Sequence, residues 1–344
     1  MNVLRTIHKW LGFFVGILLF IATFTATYLA ANDLLTEWLK PSDKLVDELT
    51  IDQKAVAINE IFELYPKAKS LTFPTEETPY YEIFDSGSRL QLDGSYQVVG
   101  EPNPVAKSVW RFMFFMHRNF HLGSIGAQIN AVASLITVGL TLVGLILLIP
   151  VWKNIKLKHF VPKNGKRSSL IRSHQLIGLF VAVPLIIAAL TGAALTWRKQ
   201  VQTLMIGEQP TVTEYPNRQK FIHLGEAIIA AQKIWPEQTV TSVLKRGGRK
   251  GKGSSLTIRF KTEDHAWLHG FDTITINYPK GRVIKSSKFK KLPVNEQVYS
   301  LIRSLHDGTR LPKAYTLWLF ITMLMTSFAL AITTFSFARN LLKK

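Results

Sequence analysis

The sequence predicts a membrane α-helical protein in which four transmembrane helices carry two α+β domains outside the bilayer. Hydrophobic residues make up 47% of the 344 positions, and the mean hydropathy is positive, although long polar stretches interrupt the apolar ones. A helix needs about 20 apolar residues to cross roughly 30 Å of hydrocarbon. Four runs without an interior Asp, Glu, Lys or Arg reach that length: 10–29, 125–151, 176–197 and 315–338.

The first apolar run has some features of a signal peptide, because it follows Arg5 and Lys9. It is longer than the apolar segment of a signal peptide usually is, and no small-x-small cleavage site precedes Asn32. We therefore interpret this run as a retained transmembrane helix.

The distribution of positive charge predicts the orientation. The segment 152–172 has seven Lys and Arg residues and no Asp or Glu, and the tail from residue 339 onward is also basic. Short cytoplasmic loops carry an excess of Lys and Arg, so both termini and the segment 152–172 should be cytoplasmic. The long segments from residue 30 to about 111 and from 198 to about 303 should then face the periplasm.

Cysteine is absent from the whole chain. This excludes disulfides, thiolate metal sites, iron–sulfur clusters and the covalent attachment of c-type haem. Any redox cofactor would have to be held by other ligands, of which histidine is the obvious candidate.

The chain contains an internal repeat. Aligned on His8 and His174, the first and third apolar runs read HKWLGFFVG and HQLIGLFVA, and each has a threonine, Thr25 or Thr191, seventeen residues after the histidine. The segment after each run reads as a helix followed by short strands. The expected helices are 52–66 and 223–236, and the expected strands are 69–74, 79–85, 88–93, 95–101, 238–246, 254–261, 271–279 and 281–289.

The repeat predicts two helix–domain–helix halves related by a pseudo-two-fold axis normal to the membrane, so that equivalent residues face each other across it. The predicted organisation, in chain order, is transmembrane helix 1 (1–30), periplasmic domain 1 (31–110), transmembrane helix 2 (111–151), a basic cytoplasmic loop (152–172), transmembrane helix 3 (173–197), periplasmic domain 2 (198–303), transmembrane helix 4 (304–338) and a cytoplasmic tail (339–344).

Four histidines form two pairs matched in depth. His8 and His174 each lie two residues before an apolar run, on the cytoplasmic side, whereas His117 and His306 lie about eight and nine residues before theirs, on the other side. Two neutral imidazoles on facing helices, enclosed by apolar side chains, are what a bis-histidine haem requires. Basic residues could bind the haem propionates, with Arg5, Lys9 and Arg172 on the inner side and Arg118, Arg303 and Arg310 on the outer side.

Glycines near these histidines would leave space where a flat ring passes close to the backbone. We expect this role for Gly12, Gly178 and Gly192. No catalytic side chain is expected beyond the four ligands and the haems that they would hold.

Other interpretations of the polar residues remain open. Each histidine could instead be an interfacial anchor, and His121, one helical turn after His117, could replace or assist it as a ligand. Zinc or copper at the outer cluster would need more ligands at short spacing. His265 and His269 are expected in a solvated hairpin loop, and the basic stretch 245–253 in a hairpin tip, where nucleic acid is not an expected partner.

The chain resembles the PepSY-associated transmembrane family of iron-regulated bacterial inner-membrane proteins, whose best-understood members are di-haem ferric-siderophore reductases such as ferrioxamine reductase. The resemblance covers nearly the whole chain. It is carried by R-x-x-H-x-x-x-G at 5–12, M-H-R-N-F-x-L-G at 116–123, R-S-H-x-x-x-G and L-T-G within 172–192, and L-H-D-G at 305–308.

This resemblance implies two b-type haems whose iron is ligated by His8, His174, His117 and His306, and outer segments that form PepSY-like domains. It also implies a multi-pass oxidoreductase of the bacterial inner membrane that passes electrons to a ferric siderophore in the periplasm and releases the iron as Fe(II). The sequence departs from the family pattern at His121, where an aliphatic residue is usual, and at ALAITTF, where Thr-Gly is common.

The electron donor is not encoded in this chain, because no G-x-G-x-x-G follows a strand. A quinol or a cytoplasmic flavin reductase is the expected donor. Two rival functions are a non-enzymatic scaffold whose outer domains bind a periplasmic protein and a haem quinol oxidoreductase with another acceptor.

Overall fold

The computed structural model describes residues 1–38, 49–75, 78–86, 88–99, 104–207, 223–247, 254–261, 270–278, 280–309 and 311–341. The chain divides into two compact units that alternate along the sequence. The helical unit comprises Met1–Lys40, Asn103–Leu204 and Ile302–Lys344, and the sheet unit comprises Pro41–Pro102 and Met205–Leu301.

Nine α-helices form within the described residues. They are α1 (Asn2–Trp38), α2 (Ile51–Leu64), α3 (Pro104–Asn119), α4 (Gly123–Leu148), α5 (Arg167–Thr196), α6 (Arg198–Ile206), α7 (Leu224–Ile234), α8 (Val294–Asp307) and α9 (Lys313–Leu341). Short 3₁₀ segments at Ile149–Asn154 and Leu157–His159 connect α4 to α5, and a third lies at Phe289–Lys291.

Four of these helices, α1, α4, α5 and α9, are long and apolar enough to cross a membrane. This confirms the prediction of a multi-pass membrane protein. In the helical unit α1 packs against α9 and α4, and α5 packs against α4 and α9. The four helices therefore form a closed ring in which α1 lies diagonally across from α5.

The predicted transmembrane helices 2 and 4 each need a correction at the outer end. The segment predicted as 111–151 consists of two helices, because Phe120 and His121 have positive φ angles of 51° and 58° and end α3 before α4 begins. The segment predicted as 304–338 breaks at Gly308, where φ is 74°; glycine accepts this left-handed conformation at a helix end without steric cost. His117 and His306 therefore lie on separate helices that precede the spans.

The sheet unit contains one antiparallel sheet of seven strands in the order β3-β2-β1-β4-β5-β6-β7. The strands are β1 (Ser70–Thr72), β2 (Tyr81–Asp85), β3 (Ser88–Leu92), β4 (Val240–Arg246), β5 (Ser255–Phe260), β6 (Asp272–Asn277) and β7 (Arg282–Ser287). Seven of the eight predicted strands are present, whereas the stretch 95–101 contributes only a bridge from Val98 to Leu92.

The prediction of two separate outer domains, 31–110 and 198–303, is wrong. Strand β1 of the first segment pairs with β4 of the second, with Leu71 opposite Val243. Helices α2 and α7 also pack together, and residues of both segments share one apolar core, among them Ile58, Ile228 and Ile258. Pairing β1 with β4 satisfies the backbone groups that two separate sheets would leave on exposed edges.

Close contact between α2 and α7 depends on a glycine. A Cβ atom on Gly225 would overlap the carbonyl oxygen of Ala55, and the Gly225 N–H donates to Asn59 Oδ1 at 2.9 Å. The two helices, which come from distant parts of the chain, are therefore held together by backbone contact as well as by their apolar faces.

We expect Asp272→Ala to destabilise the sheet unit. Asp272 is buried, its Oδ2 accepts from Gln238 Nε2 at 2.7 Å, and its Oδ1 accepts from the Phe289 N–H at 2.7 Å. Leaving two buried donors unsatisfied should cost about 2–4 kcal/mol of unfolding free energy. Denaturant unfolding followed by the β-sheet circular dichroism signal measures this. Glu237, which precedes Gln238 in the chain, is exposed, so Glu237→Ala should change the unfolding free energy by about 0.5 kcal/mol or less. An equal loss in both variants would contradict the structural role of Asp272.

Candidate functional site

The structure brings His8 of α1 and His174 of α5 together. Their ring centroids lie 6.3 Å apart with the planes inclined at 62°. The Nδ1 atoms of both rings are buried without a well-formed hydrogen bond. A buried polar nitrogen without a full partner costs about 1–3 kcal/mol, so the surroundings of this inner pair are unusual for protein alone. No well-formed hydrogen bond fixes the tautomer of either inner ring.

His117 and His306 form an equivalent outer pair. His117 lies in the last turn of α3 and His306 in the last turn of α8, and their ring centroids are 6.0 Å apart with the planes inclined at 35°. The two pairs predicted from depth along the sequence are thus the two pairs that meet in the folded chain.

Hydrogen bonds define the tautomer of both outer histidines. His117 Nδ1 donates to the Ala22 carbonyl at 2.9 Å, and His306 Nδ1 donates to the Ala188 carbonyl at 3.1 Å. A backbone carbonyl can only accept, so the proton must lie on Nδ1 and the Nε2 lone pair is free. An imidazole in this state is the form that ligates a metal through Nε2.

A threonine supports each of these bonds. The Thr191 hydroxyl lies 3.2 Å from His306 Nδ1 and donates its own proton to the Ile187 carbonyl at 2.7 Å, so its oxygen accepts from the imidazole. Thr25 has the same arrangement against His117 at 3.5 Å. These are the threonines that recur seventeen residues after His8 and His174. The internal repeat identified the two threonines, but it did not indicate a role for them. It also gave no sign that the carbonyls of Ala22 and Ala188 bind the outer histidines.

Burial keeps the outer histidines neutral. Burial, and then the charge of the partner His306, lower the pKa of His117 to about 4. The pKa of His306 is also lowered by burial, against smaller opposing effects from Asp307 and the bond to Ala188. Neutral imidazole is the form that has a free lone pair for a metal.

The spacing of both pairs fits a single metal ion between the rings. Two imidazole nitrogens bound at about 2 Å each, with ring centres about 1 Å further back, place the centres about 6 Å apart. The observed separations are 6.3 Å and 6.0 Å. Ordinary ring contacts also span about 4.5–7 Å, so the Nδ1 hydrogen bonds are the more specific observation. Together they fit the bis-histidine ligation of a haem iron.

The two pairs lie at different depths along the same helices. Ala22 follows His8 by fourteen residues and Ala188 follows His174 by fourteen. At 1.5 Å per residue this is about 21 Å along each helix axis. The distance between the inner and outer pairs along the helix axes is therefore about two-thirds of the thickness of the hydrocarbon core, which is about 30 Å.

Glycines lie beside both pairs, although not all of them as predicted. The Cβ positions of Gly12 and Gly178 face open space, which agrees with room for a flat group, whereas a Cβ on Gly192 would lie 3.0 Å from His306 Cε1. Gly192 therefore makes room for the imidazole. Gly144 of α4, which sequence reasoning missed, does the same for His8 at 3.2 Å.

His121 is not at the outer site, and its prediction as a replacement ligand is wrong. Its Nε2 bonds the Phe112 carbonyl at 2.9 Å, and its ring packs on Phe112 with centroids 4.7 Å apart. The side chain is exposed. The positive φ of the residue turns it back onto α3, away from the helical position that the one-turn spacing from His117 had suggested.

The basic residues predicted at the haem rims lie in varied surroundings. Arg303 pairs with Asp307 at 3.1 Å, Lys9 lies over the Trp10 ring, and Arg172 lines a cavity with His159. Arg5 and Arg118 are exposed. Four predicted features lie outside the described residues: Arg310, His265, His269 and most of the stretch 245–253.

Other metal centres find no support within the described part of the chain. It contains no group of three or more His, Asp or Glu side chains that could hold a metal ion. His8, His174, His117 and His306 thus form two facing pairs, and two axial ligands are what a bis-histidine haem iron takes from the protein.

Comparison with known proteins identifies the family. No curated protein matches the chain. The family model described as the PepSY-associated TM region matches residues 5–337, which include all four apolar helices, both histidine pairs and the sheet unit. With its four spanning helices, its separate antiparallel sheet and this match over nearly its whole length, the chain belongs to the PepSY-associated TM region family.

Proposed function

We propose that the protein is a di-haem b-type cytochrome of the bacterial inner membrane and acts as a ferric-siderophore reductase. His8 and His174 would hold one haem, and His117 and His306 the other. The observation that carries the proposal is the outer pair, in which two carbonyls bind both Nδ1 protons and leave the Nε2 lone pairs available on rings whose centroids lie 6.0 Å apart. Bound haem would supply a one-electron carrier at each pair.

The chain's own residues would orient and insulate the two ligand pairs. Hydrogen bonds from Nδ1 to a carbonyl fix the ring and raise its basicity as a ligand. Small residues at Gly144 and Gly192 let the imidazoles approach the neighbouring helices. The ring of apolar helices excludes water from the space between α1 and α5.

The arrangement of helices supports a duplicated architecture. Contacts of α1 with α9 and α4 correspond to those of α5 with α4 and α9, and the outer histidines contact equivalent residues of α1 and α5. We propose that the two halves are related by an axis normal to the membrane. The basic segment 152–172 and both termini would then be cytoplasmic, and the sheet unit periplasmic.

The expected substrate follows from the family and from iron chemistry. Siderophore oxygen donors are hard ligands that bind Fe(III) better than Fe(II). One electron per iron, supplied by a quinol or a cytoplasmic flavin reductase, would reduce the bound Fe(III) and favour its release as Fe(II). The reaction needs no proton-transfer residue in the spanning helices, whose interiors lack Asp, Glu and Lys.

Absorbance and stopped-flow measurements test this function. The purified protein should show a Soret band that sharpens on dithionite reduction, with two haems per chain. The reduced protein should be reoxidised by ferric siderophores faster than by ferric citrate in anaerobic buffer. A protein without haem would indicate the scaffold instead, and a di-haem protein indifferent to ferric siderophores would indicate a quinol oxidoreductase with another acceptor.

We expect Thr191→Val to weaken haem binding at the outer site. The substitution keeps the side-chain shape but removes the oxygen that accepts from His306 Nδ1. Loss of such a partner typically costs about tenfold or more in metal affinity, and the remaining bond to Ala188 should keep the loss near tenfold. Haem titration into haem-free protein, followed at the Soret band, measures it. Thr196→Val, on the same helix but bonded to the Gly192 carbonyl, should have no such effect; equal losses would rule out the assigned role.

A further inference from the structure

The connection between α4 and α5 forms a basic cavity. Two adjoining cavities of about 410 Å³ and 230 Å³ open here and share Lys158, His159 and Arg172. The cationic residues that line one or both are Lys156, Lys158, His159, Lys163, Lys166 and Arg172. We call these two cavities together the basic cavity.

No acidic group neutralises the basic cavity. The segment 152–172 contains no Asp or Glu, and among the described residues the ion pairs Arg89–Glu82 and Arg303–Asp307 involve none of its lysines or Arg172. The pKa of His159 is lowered by partial desolvation and then by the positive charges of Arg172 and three nearby lysines. Several cations therefore converge on one place without a counter-ion from the protein.

Tertiary contacts hold the wall of the basic cavity in place. The hydroxyl of Ser173, a fully buried residue of α5, donates to the Phe160 carbonyl at 2.7 Å, and Phe160 packs against the apolar cluster that includes Ile177 and Val181. Arg339 of α9 donates to the Gly165 carbonyl at 3.1 Å. The backbone that carries the lining side chains is therefore held in place before any ligand binds, which lowers the entropy cost of binding, whereas the lysines and Arg172 themselves are exposed.

Donors in the basic cavity suit a phosphate group. His159 Nδ1 accepts from the Lys156 N–H at 3.2 Å, which leaves its proton on Nε2 as a donor. Arg172 adds a guanidinium, whose planar fork binds two oxygens of a phosphate at once. Lysine and histidine donors then complete a site for a compact anion.

Apolar residues beside the basic cavity point to the membrane surface. The cavity begins directly after α4, and four large apolar side chains of the same connection are exposed: Ile149 by 67%, Trp152 by 63%, Leu157 by 74% and Val161 by 66%. Tryptophan and aliphatic residues next to lysines are typical of the headgroup layer. A soluble anion would contact only the basic cavity, whereas a phospholipid would contact the cavity with its headgroup and the exposed apolar side chains with its acyl chains.

The basic cavity is separate from the inner histidine pair. Arg172 precedes His174 by two residues, which corresponds to about 200° around an α-helix of 3.6 residues per turn. Arg172 therefore lies on the opposite side of α5 from His174.

We propose that the basic cavity binds the phosphate of an anionic phospholipid headgroup, with Lys158, His159 and Arg172 as the central contacts. Basic pockets beside transmembrane helices bind such headgroups by charge and hydrogen bonding. The site is independent of whether the protein carries haem.

Spin-labelled lipids test the proposal. The full chain is reconstituted in phosphatidylcholine vesicles that contain a trace of spin-labelled phosphatidylglycerol or spin-labelled phosphatidylcholine, and electron paramagnetic resonance measures the motionally restricted fraction of each. The wild type should prefer phosphatidylglycerol. K158Q/R172Q should lower its relative association constant roughly tenfold, and each single substitution should lower it in part.

The matched control removes two charges from the same connection outside the cavity. Lys153 and Arg167 are exposed and line neither cavity, so K153Q/R167Q should keep most of the preference. An equal loss in both double variants would show a general charge effect and overturn the site. Wild type without a preference would overturn it as well. Release of the lipid by excess inorganic phosphate, but not by sodium chloride of equal ionic strength, would support recognition of the phosphate group, whereas binding of inorganic phosphate without any lipid preference would show that free phosphate is the ligand.

Folding and haem content are measured separately from lipid binding. Variants are compared by size-exclusion elution, and if the double variant fails to fold, the single variants decide the outcome. The charge-conserving K158R should keep the preference, and its loss in a folded protein would contradict a charge-based site. A protein without haem would contradict the proposed function but leave this lipid measurement intact.

Discussion

Replacing His8 or His174 with alanine should remove one of two haems, and replacing His117 or His306 should remove the other. Each ring faces a single partner, at 6.3 Å in the inner pair and 6.0 Å in the outer pair. A haem iron that loses one of two axial imidazoles keeps a single protein ligand, so its retention through purification should fall. The haem content should fall from about two per chain to about one, and to near zero in a variant that combines one substitution from each pair.

Pyridine haemochrome quantification and reduced-minus-oxidised spectra measure the result. The two members of a pair should remove the same spectral component, because they would share one iron. His121→Ala is the matched control, since His121 bonds the Phe112 carbonyl outside the site, and it should keep both haems. Loss of different components by His8→Ala and His174→Ala would refute the pairing, as would loss of a haem in the control.

Gly192→Leu should remove the outer haem and keep the inner one. A Cβ at this position already lies 3.0 Å from His306 Cε1, so the larger leucine side chain would displace the imidazole. Leucine is a better helix former than glycine by roughly 1 kcal/mol, so α5 should not unfold through lost helix propensity. The expected haem content is about one per chain, with the inner spectral component unchanged.

Gly139→Leu provides the control for this substitution. Gly139 lies in α4, is exposed and has nothing within 4 Å of its Cβ position, so leucine should be accepted with both haems retained. A Cβ on Gly144 would lie 3.2 Å from His8 Cε1, so Gly144→Leu should remove the inner haem and keep the outer one. Retention of both haems in Gly192→Leu would show that His306 is not held where the structure places it.

Local patterns in the sequence predicted most of the elements. Length and the absence of charge predicted four spanning helices, because hydrocarbon accepts only helices with an apolar surface of that length. Alternating residues predicted strands such as β5 and β6, where every second side chain is buried. The repeated histidines and threonines at equal spacing predicted which residues would meet.

Contacts between distant segments needed the tertiary structure. Pairing of β1 with β4 joins residues 170 or more positions apart, and nothing in either strand records its partner, since backbone hydrogen bonds are the same for any sequence. The turn at Phe120 and His121 depends on left-handed backbone angles, which moved His121 out of the outer site although its spacing from His117 is helical.

Sequence patterns were sufficient to predict that this protein crosses a membrane and that His8, His174, His117 and His306 form two depth-matched pairs, because burial in lipid and helical periodicity act along the chain. Packing between distant segments joins the outer segments in one sheet, sets the carbonyls of Ala22 and Ala188 against the outer imidazoles, and makes Arg172 line a basic cavity. Carbonyls and cavities have no sequence signature, because every residue has a carbonyl and a cavity exists only between packed elements.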